Sequence, residues 1–285
     1  MMPSAATPPL LAEATKLSPS TRPERLGRRA TEADRSAPIG TDRVGHWRHE
    51  WKYLVPRFLR GGLTRDLATL MAPDSHVGAN GSYIVRSLYL DSLDWTCARE
   101  KMEGVPRRRK LRIRTYRTDD QNVSTLKFEI KHRDGERIRK DTTLVDSDHY
   151  GGLRDALVPH RAAAVLREPL SPLLAAFFKD VHLFALWPMM IVQFRRQAWV
   201  LPSHDNCRVT VDDELLAWRS GDVLADRAVA GLPPGRQNFI LEVKTPGWMP
   251  LCLDHVVRKY KLQRVPFSKY AHAVRQGPFD LNNGT

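Results

Sequence analysis

The chain has 285 residues, 42% of them hydrophobic and 27% charged, which suits one large domain or two small ones with a real core. No run of eighteen apolar residues occurs, because Lys179, Asp180, His182 and Pro188 interrupt the most apolar region, so no membrane span is expected. A net charge of +13 points away from acidic partners and toward a polyanion: nucleic acid, anionic lipid, nucleotide or a phosphate chain.

Residues 1–44 are rich in Pro, Ala, Ser, Thr and Arg without sustained periodicity, and read as a disordered N-terminal leader. They hold seven Lys or Arg and five Asp or Glu, so about +11 of the charge belongs to residues 45–285, read as one domain. A strand is predicted over His46–Val55, then a helix over Arg57–Met71 with Phe58, Leu63, Leu67, Leu70 and Met71 on one side. Gly78–Ser82 reads as a loop, Tyr83–Asp91 as a strand, and a short helix or turn runs to about Glu103. Strands follow at Lys110–Arg117, Ser124–His132 and Arg137–Val145, the last two joined by an Asp-Gly hairpin turn. Helices are predicted at Ser147–Val158 and Pro172–Val181, and strands at Met190–Leu201, Arg208–Glu214 and Asn238–Lys244. Helices near Leu251–Lys261 and Ser268–Gln276 complete an α+β pattern dominated by antiparallel strands. Cys97, Cys207 and Cys252 lack paired spacing, which fits reduced thiols in a cytoplasmic protein and gives no zinc site.

The strands carry an unusual alternation. Arg48, Glu50 and Lys52 share one face, opposite Trp47, Trp51 and Tyr53. Lys110, Arg112 and Arg114 oppose Leu111 and Ile113; Lys127, Glu129 and Lys131 oppose Leu126, Phe128 and Ile130. Arg137 and Arg139 oppose Ile138, while Glu242 and Lys244 oppose Leu241 and Val243. One such strand is a wet surface strand as readily as anything else. Several with nearly all-cationic faces are different, because like charges side by side in a sheet repel unless an anion lies between them. Curled into a barrel, these strands would converge their cations on its axis, where bonds to phosphate oxygens are strong.

The segments RHEWKY, YIVRSLYLD, KLRIRTY, FEIK, RRQAW, RVTVDDEL, ILEVK and FSKY resemble, in order and spacing, the VTC domain, the polyphosphate polymerase domain of the vacuolar transporter chaperone family. The resemblance covers roughly residues 46–272 and places the chain with the triphosphate tunnel metalloenzymes. It implies a closed antiparallel β-barrel, the triphosphate tunnel fold, with surrounding helices and a polar, cationic lumen. It further implies that Lys52, Arg112, Arg114, Lys131, Arg196 and Glu242 carry catalysis, Glu242 as a metal ligand with Glu50 as a second candidate. Lys127, Arg139, Arg208, Lys244, Ser268 and Lys269 are implied as phosphate contacts, with Lys140 pointing outward. Glu50 and Glu129 are open between metal or water positioning and ion pairing, and Asp212 and Asp213 read as support for Arg208 or a turn. Two positions depart from the family pattern. Phe194 stands where tyrosine is common, and Arg48 replaces a carboxylate of the hydrolytic Glu-x-Glu-x-Lys motif.

The expected activity is transfer of the γ-phosphoryl group of ATP onto a polyphosphate chain, with Mn²⁺ or Mg²⁺. The alternatives are an inorganic or nucleoside triphosphatase, or a non-catalytic polyphosphate binder. ATP and polyphosphate are the expected partners. Nucleic acid is not, because Trp47, Trp51 and Trp199 read as outward packing rather than base stacking. A membrane protein receiving the product is left open as a partner.

Overall fold

The computed structural model describes residues 38–78, 80–117, 123–158, 168–203, 206–225 and 237–276. Residues 1–37 of the expected leader lie outside that set. Ten strands and six α-helices follow in chain order: β1 (Thr41–Arg43), β2 (Arg48–Pro56), α1 (Arg60–Leu70), β3 (Ala72–Pro73), β4 (Tyr83–Asp91), α2 (Thr96–Met102), β5 (Arg107–Arg117), β6 (Thr125–Asp134) and β7 (Arg137–Asp146). Then come α3 (Ser147–Asp155), α4 (Pro172–Leu183), β8 (Trp187–Val200), β9 (Arg208–Arg219), β10 (Asn238–Thr245), α5 (Leu251–Lys259) and α6 (Lys269–Gln276).

Eight strands form a closed antiparallel circuit in the order β7-β2-β10-β9-β8-β4-β5-β6, with β6 hydrogen-bonded back to β7. Closure leaves no long open edge. At the seam β2 pairs only with the start of β7, at Arg137 and Ile138. The remaining edge of β7 is taken by β1, with Thr41–Arg43 opposite Leu144–Thr142. These three residues, assigned from sequence to the leader, are therefore part of the folded unit. Asp42 fixes them: its carboxylate accepts from Thr143 Oγ1, Ser171 Oγ and the Leu173 N–H at the start of α4. The β6–β7 hairpin turns on Gly135, whose φ of 55° is the left-handed conformation that glycine adopts without strain.

Two hydrophobic layers pack outside the barrel. Leu111, Ile113, Leu126, Phe128 and Ile130 from β5 and β6 meet Tyr150 and Leu153 of α3 and Leu174, Phe177, Phe178 and Val181 of α4. On the other side Tyr53, Val55, Val209, Val211, Leu241 and Val243 meet Leu63 and Leu67 of α1 and Leu253 and Val256 of α5. Each such side chain contributes roughly 1.5–3 kcal/mol of burial. Trp51 and Trp199 pack in the second layer as expected. Trp47 does not: it is 36% exposed, with the guanidinium carbons of Arg137 and Arg139 at 5.8 and 5.4 Å from its ring centroid.

A third cluster lies on the opposite face of the sheet, the one carrying Arg112 and Arg196. Tyr83, Val85, Tyr89, Met190, Phe194 and Leu215 pack there against Tyr270, Ala273 and Val274 of α6 and against Trp95 and Ala98 beside α2. One wall of the interior is thus apolar and occupied by helix. Asp91 anchors this arrangement by accepting from the Cys97 and Ala98 N–H groups of α2 and from the Tyr270 hydroxyl at 2.6 Å.

Candidate functional site

The remaining interior is a cavity of about 470 Å³, lined by fifteen Lys or Arg side chains against three glutamates. Strand register sets the lining. Directly opposed residues of an antiparallel pair point to the same face, so Lys110 with Lys131, Arg112 with Glu129, and Glu242 with Lys52 all turn inward. Of the residues implied from sequence, Glu50, Lys52, Arg112, Arg114, Lys131, Arg196, Arg208, Glu242, Lys244, Ser268 and Lys269 all line this cavity. They come from β2, β5, β6, β8, β9, β10 and the start of α6.

Lys127 and Arg139 do not line it. Lys127 lies over the Tyr116 ring at 4.4 Å. Arg139 donates to Asp141 at 3.1 Å and lies against Trp47. The expectation that Arg139 faces inward and Lys140 outward is reversed, because Lys140 is the register partner of Lys131 and lines the cavity. The lone apolar residue of that stretch, Ile138, shares the inward parity of Lys140, and the outward side carries Asp141 and Thr143 instead. Asp212 is likewise reassigned. It pairs with Arg196 through two bonds of 2.6 and 2.7 Å, and its Oδ2 lies 2.5 Å from Lys269 Nζ. Asp213 binds Arg57 and Arg60 outside, and Arg208 turns instead to Asp74 at 3.2 Å and the Tyr83 hydroxyl at 2.7 Å.

Three glutamates with buried side chains at the cavity are caged by cations. Glu129, fully buried, accepts from Arg112 Nε at 2.6 Å and Lys140 Nζ at 2.5 Å. Glu242 has Lys269 at 2.6 Å on one oxygen and Lys244 at 2.8 Å on the other, with Lys52 at 3.4 Å and Arg196 at 3.7 Å. Glu50 accepts from Lys131 at 2.8 Å, with Lys52 and Lys244 at 3.8 and 3.9 Å. Burial alone would raise all three carboxyls, but the surrounding cations outweigh it and hold them well below the usual carboxylate range. Burial pulls the Lys52 ammonium down, yet Glu242 and Glu50 lift it to about 12. These carboxylates are fewer than the fifteen Lys or Arg side chains that line the cavity.

Among the described residues no three His, Cys, Asp or Glu side chains form a ready metal cage. The oxygens of Glu242 and Glu50 are hard donors, and a magnesium-like ion is commonly held by one or two carboxylates together with substrate phosphates. The residues therefore fit a divalent ion that arrives with a phosphate chain, not one held by protein alone.

Several lining residues were absent from the sequence-implied set. Lys110 already shared the parity of Arg112, and Arg108 and Arg133 extend the same alternation to the strand ends. Lys101 from α2 and Arg264 from the segment before α6 had no strand pattern to reveal them.

No helix among the described residues is long and apolar enough to cross a membrane. No curated protein matches the sequence. Among solved structures, a candidate adenylate cyclase from Bacillus halodurans aligns over 79% of this chain and 95% of its own, at 13% identity and a TM-score of 0.47. A candidate adenylyl cyclase from Hippeastrum with a dominant triphosphatase activity aligns over 80% and 95%, at 14% identity and a TM-score of 0.44. The family model of the VTC domain matches residues 47–276, a span that takes in every strand of the closed barrel and the caged Glu242. The chain belongs to the VTC domain family.

Proposed function

We propose that this protein is a metal-dependent polyphosphate polymerase, transferring the γ-phosphoryl group of ATP onto the end of a polyphosphate chain inside the barrel. The observation that carries this reading is Glu242: a buried carboxylate within 4 Å of four cationic side chains in an enclosed cavity. A pure anion receptor gains nothing from a buried negative charge there, whereas phosphoryl transfer between two polyanions needs a hard oxygen donor among the cations.

Phosphoryl transfer asks the protein mainly for positioning and charge neutralisation. Arg112 and Arg196 are each fixed by a carboxylate, Glu129 and Asp212, so their free guanidinium N–H groups are pre-aimed at phosphate oxygens. Lys52, Lys131, Lys244 and Lys269 supply mobile ammonium groups that can leave Glu50 and Glu242 for phosphate. Glu242, with Glu50 beside it, would hold a Mg²⁺ or Mn²⁺ ion that neutralises charge on the bridging phosphate oxygens. The terminal phosphate of the acceptor already carries its nucleophilic oxygen, so a strong general base is not required. Ser268, at the start of α6, lines the same chamber as a neutral donor.

Incubation with ATP and each divalent ion, followed by resolution of chain lengths on a gel, tests the assignment. Polymerase activity gives lengthening polyphosphate and ADP. Release of inorganic phosphate without chains indicates a triphosphatase, and unchanged ATP indicates a binding protein.

A further inference from the structure

A polymerase needs an acceptor before any chain exists. Three side-chain hydroxyls line the cavity that holds the Glu242 cage: Tyr89, Tyr116 and Ser268. Two of them are committed. Tyr89 accepts from Arg112 Nη1 at 3.2 Å, and its ring stacks on Tyr270 with centroids 4.5 Å apart. Ser268 Oγ accepts from the Ala271 N–H in the first turn of α6. The Tyr116 hydroxyl makes no hydrogen bond among the described residues.

Tyr116 lies on β5 two residues beyond Arg114, on the same inward face and about 7 Å further along the strand. Lys127 Nζ is 4.4 Å and the Arg114 guanidinium carbon 6.0 Å from its ring centroid. The Tyr83 ring packs on it at 5.7 Å, and the Tyr83 hydroxyl holds Arg208 at 2.7 Å. The phenol therefore stands beside two guanidinium groups of the cavity, Arg114 directly and Arg208 through Tyr83. Burial raises this phenol and Glu129 raises it further, but Arg114, Lys140 and Lys127 bring it down to about 7. Cations that favour the phenolate activate it as a nucleophile without a neighbouring base.

We propose that Tyr116 is the first phosphoryl acceptor: its Oη attacks the γ-phosphorus of ATP, and the resulting phosphotyrosine is the end from which a chain grows. This deepens the polymerase reading of the same cavity and rests on it. One Oη–P bond forms, and the bond from the γ-phosphorus to the β–γ bridging oxygen breaks. That oxygen keeps the electron pair as ADP leaves, and the phenol proton passes to solvent. The new phosphate monoester carries the same nucleophilic oxygen as the end of a free chain, so the next transfer repeats the proposed reaction. Added tripolyphosphate already supplies such an end and bypasses Tyr116.

The test incubates wild type and Tyr116→Phe with Mn²⁺ and ATP labelled at the γ-phosphate, with and without tripolyphosphate, and then denatures the protein. Tyr116→Phe keeps the ring on which Lys127 lies, and circular dichroism checks its fold. With ATP alone, the wild type should carry an alkali-stable label that mass spectrometry maps to Tyr116. The variant should lose that label, and its chain formation from ATP alone should fall roughly 100-fold with the loss of a positioned acceptor. With tripolyphosphate present, both proteins should lengthen chains. Wild type that lengthens tripolyphosphate without carrying label, label mapped only to another residue, or equal chain formation from ATP alone by both proteins would each overturn the acceptor role. Loss of tripolyphosphate lengthening in a folded Tyr116→Phe would overturn it as well. If the variant does not fold, the site mapped on the wild type decides alone. Wild type that does not lengthen tripolyphosphate would overturn the polymerase reading itself.

Discussion

Lys269, the first residue of α6, places its Nζ 2.6 Å from Oε1 of Glu242 on β10. The bond joins the last helix to the barrel interior and occupies an oxygen that a divalent ion would need. Lys269→Met should therefore uncover Glu242, giving measurable Mn²⁺ binding without nucleotide, while tripolyphosphate affinity falls about tenfold with the lost ammonium. Titration calorimetry with each ligand separately checks both effects. Unchanged Mn²⁺ binding would show that the ammonium and the metal do not share this carboxylate.

Glu129 is the support beneath Arg112, Arg114 and Lys140. Removing one partner from a buried ion-pair cluster leaves uncompensated charge, so Glu129→Gln should lower stability by about 3 kcal/mol. Saturating tripolyphosphate should restore part of the loss, because an anion that binds only the folded state replaces the missing charge. Urea unfolding with and without ligand measures both. Stability equal to wild type would mean that Glu129 is not needed to hold these cations.

Lys140 and Arg139 separate inside from outside on β7. Lys140→Met should weaken tripolyphosphate binding about tenfold, whereas Arg139→Met, which disturbs only Asp141 and Trp47, should leave it within about twofold. The reverse ranking would contradict the register of β6 on β7.

Stability should also depend on pH in a defined direction. Burial lowers Lys110 to about 7, and although burial raises the Tyr116 phenol, the nearby Arg114, Lys140 and Lys127 bring it down to about 7. Both groups bind fewer protons in the folded chain than in the unfolded chain between about pH 7 and pH 10, so unfolding takes up protons and stability rises with pH there. Lys52, lifted to about 12, gives stability that is fully present below its ordinary value near pH 10.4 and is lost only above it. Thermal melts of the ligand-free protein from about pH 6.5 to pH 9 should thus show a rising Tm. A falling Tm across that interval would contradict the burial of these groups.

Much of the barrel was legible because β5, β6 and β10 alternate cleanly, so Arg112, Arg114, Lys131, Glu242 and Lys244 could be assigned to one face before any pairing was known. β7 was not, since Ile138 lies on the inward side and the outward side is polar; only pairing with β6 reveals which way Lys140 points. Asp212 read from sequence as support for Arg208 or a turn; only the pairing of β8 with β9, which sets Arg196 opposite Asp212, shows which arginine it meets. The apolar wall of β4 and β8 was not read from sequence, because nothing in the strand pattern of Tyr89 and Phe194 shows that α6 packs against them inside the barrel. Lys101 and Arg264 reach the cavity from a helix and a connecting segment, where side-chain parity says nothing.

In the proposed reaction Glu242 serves phosphoryl transfer between ATP and a phosphate chain. The most direct test compares wild type with Glu242→Gln, incubated with ATP and Mn²⁺, by following polyphosphate length over time and confirming the fold by circular dichroism. The wild type should lengthen chains, and the folded variant should lose roughly 100-fold or more of that rate. Chain growth by Glu242→Gln at the wild-type rate, or release of inorganic phosphate alone by the wild type, would contradict this role.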